Sequence, residues 1–156
     1  MVRVVIAACA FAVAVTAAAT AGIEHTMLHG ASVRSVRVAI DHDEIPELTE
    51  EDIQSLIESR LHKAGIEMTE GAAGTLWVIA LVVRGESPVC VVDLDARLME
   101  DARLERNGHM VPARSWGSGG LVVGASPEEC TQGVVGVAER FADDFIEMYS
   151  AMNPES

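Results

Sequence analysis

The sequence predicts an α+β domain: a two-layer sandwich whose mostly antiparallel sheet of four to five strands carries two helices on one face, in β-α-β-β-β-α order. Three observations lead there. Segments following Thr49 and Ser126 place apolar residues at the 3.6-residue period behind clear helix starts. Before and between them lie Val, Ile and Leu runs that alternate or stay continuously apolar, as strands do. Asn107-Gly108 is a strong hairpin dipeptide, so segments on either side of it should pair.

The first strand is Val33 to Ile40, where Val36, Val38 and Ile40 alternate with Arg37 and Ala39. An acidic loop, Asp41 to Glu47, ends it. Thr49 then opens a helix as N-cap, with Asp52 closing a capping box and Glu50, Glu51 and Asp52 facing the positive end of the helix dipole. Ile53, Leu56, Ile57, Leu61 and Ala64 form its apolar stripe, and Gly65 is the expected left-handed stop. Arg60 lies inside that stripe and is expected to snorkel past its edge.

Thr75 to Val83 is apolar on both faces, the pattern of a central strand. Val89 to Leu98 alternates, with Cys90, Val92, Leu94, Ala96 and Leu98 on one face and Asp93, Asp95 and Arg97 on the other. Ala102 to Trp116 should form two strands across Asn107-Gly108, and Pro112 places the returning one at an edge or a bulge. Gly117 to Gly120 reads as a flexible break before Leu121 to Gly124. Ser126, Pro127 and Glu129 start the last helix, and Asn153-Pro154 ends it. Cys130, Val134, Val137, Phe141, Phe145, Met148 and Met152 share its inner face, and Gly133 and Gly136 suit close packing on the sheet.

Residues 1–21 read as a secretory signal peptide: Arg3, an apolar run from Val4 to Ala18, and a small-residue site ending at Ala21. Its competitor is a retained N-terminal membrane anchor, which the run is short for, since a span needs about 20 apolar residues. Residues 22–31 follow as a flexible leader, and 32–156 form one domain. Location is therefore expected in the periplasm or outside the cell, with no stable membrane anchor after cleavage. The 156-residue chain has a net charge of −13, which argues against nucleic acid as a partner because phosphates attract Lys and Arg clusters. Cys9 leaves with the signal peptide. Cys90 and Cys130 remain, an even pair in an oxidising compartment, either bridged or held as two buried thiols.

Leu48-Thr49-Glu50-Glu51 with the helix ending Leu61 to Ile66, and Ser115 to Gly120 with the helix ending Phe141 to Pro154, resemble a group of small secreted bacterial envelope proteins of unassigned function. The resemblance implies an envelope location. It carries over no catalytic residue.

No motif implies a cofactor or a metal. His25 and His29 lie four apart, near Glu24 and the Asp41 to Glu44 run, but zinc needs three or four convergent ligands and no helical pattern enforces them. Ser118 fails the nucleophile-elbow pattern because Trp116 stands where glycine is required. Two classes of function remain. One is a non-enzymatic binding or assembly module recognising an envelope protein or cell-wall component through Arg114, Trp116, Gly117, Ser118, Gly119 and Gly120. There Trp116 is either an exposed anchor or packed under the second helix. The alternative is a small secreted hydrolase built on scattered groups such as His109, Asp93 and Ser118.

Overall fold

A computed structural model describes residues 28–40, 48–84 and 89–154; the expected signal peptide, His25 and the Asp41 to Glu47 loop lie outside these. The element order is β1 (Val33–Ile40), α1 (Glu50–Lys63), β2 (Gly74–Arg84), β3 (Cys90–Arg103), β4 (Met110–Gly124) and α2 (Pro127–Met152). The four strands form one open sheet in the order β1-β2-β3-β4, β1 parallel to β2 and the other pairs antiparallel. The α+β class, element order and mostly antiparallel sheet agree with expectation. The parallel pair follows from connectivity: α1 carries the chain back across the sheet, as a parallel neighbour requires.

Local chemistry accounts for the helix starts. The Thr49 hydroxyl accepts from the Asp52 amide at 3.1 Å, and the Asp52 carboxylate accepts from the Thr49 amide at 3.2 Å and hydroxyl at 2.6 Å. These bonds hold the Asp52 carboxyl below the usual carboxylate range, led by the Thr49 side chain. Gly65 follows α1 at φ 79°, and the Ile66 amide reaches back to the Leu61 carbonyl at 2.9 Å. At α2 the Ser126 hydroxyl accepts from the Glu129 amide at 3.2 Å, while the Glu129 carboxylate takes the Ala125 amide at 2.7 Å. The glutamate thus reaches one residue beyond the cap.

Ile53, Ile57 and Leu61 of α1, and Val134, Phe141 and Phe145 of α2, pack on Val36, Val78, Val92, Leu94, Leu98 and their neighbours on one sheet face. Arg60 clamps the two helices, its guanidinium donating to Glu139 at 2.7 Å and Asp143 at 2.6 Å. Both carboxylates raise its already high pKa, Glu139 more than Asp143. The fold begins earlier than residue 32: of the segment expected as a leader, residues 28–31 form a turn whose Leu28 is 1% exposed. Asn153 secures that turn, accepting from the Gly30 amide at 2.8 Å and donating to the Leu28 carbonyl at 2.9 Å.

Two expectations need correction. The glycines at 117–120 do not break the chain, because β4 runs unbroken through them and pairs with β3 throughout, Gly117 opposite Arg97 and Gly120 opposite Leu94. They serve the approach of other groups: a Cβ on Gly120 would lie 2.7 Å from Val137 Cγ1 and 2.8 Å from Arg140 Nη2. Asn107-Gly108 does turn the β3–β4 hairpin, but within a six-residue loop, 104–109, closed by the Leu104 amide on the His109 carbonyl at 2.8 Å. Gly108 takes the left-handed position, φ 70°, as the dipeptide signalled.

Candidate functional site

The expected site lies on β4, which has β3 on one side and, among the described residues, no strand on the other. In an antiparallel pair alternate residues direct their N–H and C=O groups toward the neighbour, so the others along this 15-residue strand point outward. Pro112 stands near the start of this edge, the position a residue without N–H tolerates. Register shifts at Leu98/Met99: Leu98 pairs with Trp116 and Met99 with Arg114, leaving Ser115 as a bulge whose hydroxyl donates to the Leu98 carbonyl at 3.5 Å.

The bulge determines where each candidate residue points. Trp116 faces the helices, is 7% exposed, and meets Phe145 edge-on with ring centroids 5.2 Å apart. Its role as an exposed anchor is therefore corrected: uninterrupted strand pairing carries the indole under α2, the other of the two placements considered. Ser118 also faces the helices, its hydroxyl 3.5 Å from Asp144 Oδ2. Arg114 lies on the opposite face, folded over Gly117 so that a Cβ there would sit 2.7 Å from its guanidinium carbon. Gly119 shares that face, with only the Leu94 carbonyl within 4 Å of where its Cβ would be. Gly120 lies under α2.

Depressions flank the edge on both sides. Between β4 and α2 a groove of about 360 Å³ is lined by Trp116, Gly117, Ser118, Asp144, Glu147, Met148 and Ala151. It combines an apolar floor with two carboxylates. On the far face a shallower hollow of about 270 Å³ lies among Asp93, Asp95, Arg114, Gly117 and Gly119. A third cleft, between α1 and α2, contains the Arg60–Glu139–Asp143 cluster. Asp144, Glu147, Met148 and Ala151 were not anticipated. Met148 belongs to the apolar stripe of α2 and the other three to its outer flank, and only the knowledge that β4 runs beneath that flank singles them out as a group.

Cys90 and Cys130 come together, their Cα atoms 6.5 Å apart and their sulfurs in bonding contact. That separation is within the range a disulfide spans. The residues of the hydrolase alternative do not converge. Asp93 pairs with Leu121 on the open face, and Ser118 points under α2. His109 precedes β4, and nine residues at about 3.3 Å each place it roughly 30 Å from Ser118. Among the described residues no three His, Cys, Asp or Glu side chains gather as metal ligands, and His42, like His25, lies outside them.

No family profile matches the chain, and no curated protein matches it. Solved structures share part of its shape. A PelC dodecamer from Paraburkholderia phytofirmans is 19% identical, with 78% of this chain and 90% of that chain covered and a TM-score of 0.42. A minor lipoprotein from Acinetobacter baumannii is 10% identical, covering 76% and 91%, with a TM-score of 0.37. A chain described as a lipoprotein from Caulobacter crescentus is 14% identical, covering 81% and 98%, with a TM-score of 0.31.

Proposed function

We propose that the protein is a non-enzymatic binding module of the cell envelope that receives an extended segment of an envelope partner along β4. The observation that carries this reading is the long edge strand with a groove beside it. Strand addition supplies main-chain hydrogen bonds, and flanking pockets select side chains. The apolar floor at Trp116 and Met148, with Asp144 and Glu147 at the walls, suits a segment in which apolar residues alternate with Lys or Arg. Net charge adds to this preference, because an acidic chain attracts basic segments and repels anionic polymers. The signal-peptide pattern supports the location; among the described residues no helix is long and apolar enough to cross a membrane.

Affinity capture from envelope extracts tests the reading. The wild-type protein should retain a specific protein that Ala151→Arg, which fills the groove mouth from an exposed helix position, and Asp144→Lys both release. Each variant should keep the wild-type melting temperature. Retention undiminished by both substitutions would place the binding surface elsewhere.

A further inference from the structure

The sheet face turned away from the helices is only partly polar. Leu81, Leu121 and Val123 on it are 55%, 65% and 63% exposed. The apolar character of β2 on both sides fits a central strand, yet no helix among the described residues covers this second side. Leu121 and Val123 are neighbours along β4 and Leu81 lies across Asp93 from Leu121, and exposed aliphatic residues grouped in this way mark an association surface.

We propose that this face binds the same face of a second copy, giving a two-fold dimer with two central sheets and two outer helix layers. The strand register makes the face self-complementary. Three successive rows cross it: Trp77–Arg97–Gly117, then Ile79–Asp95–Gly119, then Leu81–Asp93–Leu121. A two-fold axis in the interface, perpendicular to the strands and passing through the middle row, lays the first row of one copy over the third row of the other. Leu121 then enters the hollow beside Gly119, where only the Leu94 carbonyl lies within 4 Å of a Cβ position, and packs against the Arg114 guanidinium folded over Gly117. Asp93 meets Arg97, and Leu81 meets Trp77. The alternative axis, along the strands through β3, would set Arg97 on Arg97, Asp95 on Asp95 and Asp93 on Asp93, whereas the chosen axis opposes like charges only at Asp95.

Two further observations favour this occupant. Arg97 donates to Asp95 of its own chain at 2.6 Å, so each of the two Asp95 carboxylates that face each other across the axis is compensated by an arginine. Charge is also distributed suitably. The face comes close to balance, with Arg97, the neighbouring Arg37 and Arg114 against Asp93 and Asp95, while α1 and α2 carry ten acidic side chains against Arg60, Lys63 and Arg140. Pairing through the balanced face keeps the acidic helix layers farthest apart. Four strands at about 4.8 Å spacing and ten paired residues at about 3.3 Å offer about 600 Å² per copy. Two such faces reach about 1,200 Å², the lower bound for a stable interface. An anionic membrane would instead meet the long-range repulsion of an acidic chain.

Sedimentation of the purified wild-type protein at tens of micromolar should give the mass of a dimer. Leu121→Arg and Asp93→Arg should each weaken dimerisation at least tenfold while leaving the circular dichroism melt in place, since both positions are exposed. Asp93→Arg combined with Arg97→Asp should restore the dimer that either charge reversal alone disrupts. A monomer at all concentrations overturns the proposal. So does an oligomer indifferent to Leu121→Arg, or a double variant no better than the singles. The groove variants Ala151→Arg and Asp144→Lys lie on the other side of the sheet and should dimerise normally, so the two readings fail separately.

Discussion

Replacing Trp116 with Ala measures how firmly the edge strand is anchored to the helix layer. The indole is 7% exposed, meets Phe145 at a 79° interplanar angle, and forms the floor of the β4–α2 groove. Removing a buried Trp costs about 3–5 kcal/mol through lost burial and the cavity left behind. The edge-on ring contact contributes about 0.5–1.5 kcal/mol of interaction beyond buried area. Because the groove adjoins the indole, water can enter the space and the site relaxes, so a value near 4 kcal/mol is expected rather than the maximum. A domain of about 130 residues unfolds with an entropy near 0.27 kcal/mol/K, which converts that loss into a fall of about 15 °C in Tm. Thermal melts followed by circular dichroism provide the assay. A double-mutant cycle with Phe145→Leu should return about 1 kcal/mol of coupling. A fall under about 4 °C, equivalent to about 1 kcal/mol, would show that the indole is a surface group and that the chain pairs differently at Ser115.

If Cys90 and Cys130 are bridged, closing a 40-residue separation stabilises the fold by about 4 kcal/mol. Dithiothreitol should then lower Tm and free two thiols to Ellman's reagent, whereas thiols titrating without reductant would exclude the bridge. Thr49→Ala should cost about 1 kcal/mol in urea titrations. Its effect should shrink on acidification: a carboxyl held low when folded contributes stability that is full above its unfolded pKa and is lost as pH falls from there through the lower folded pKa, so the Thr49–Asp52 contribution belongs to neutral pH. An equal cost at pH 7 and pH 3 would refute this pairing. Gly133→Ala should destabilise by about 1–3 kcal/mol because its Cβ would run into Val122, while Gly136→Ala, with open space around it, should stabilise by about 0.5–1 kcal/mol. Differential scanning calorimetry should show opposite signs for the two.

The architecture was readable because its signals are local. Thr49 with Asp52 and Ser126 with Glu129 place the helix starts, and the period-two pattern around Val92 and Leu94 identifies their inward face. Gly117 to Gly120 misled because glycine's intrinsic preference points to a loop, whereas here Val137 and Arg140 of α2 need the space above Gly120. Trp116 could not be assigned to a face from sequence: one bulge residue, Ser115, sets its direction, and bulges have no strong signature. Leu28 gave no periodic signal because a single anchor in a turn has no neighbours to form a pattern, and its hydrogen-bonded partner Asn153 lies 125 residues away. The groove was illegible for a related reason. It joins β4 to a flank of α2 that continues past the strand's own contacts, a juxtaposition created by tertiary packing.

Site-resolved photo-crosslinking in living cells tests the central claim most directly. A benzophenone amino acid in place of Ser118 lies in the groove, and one in place of exposed Glu128 lies at the start of α2, away from it. The account predicts that irradiation joins the Ser118 probe to a distinct envelope protein and that the Glu128 probe gives no such adduct. Equal capture at both positions, or no adduct at Ser118 under conditions where the protein is exported and folded, would contradict it.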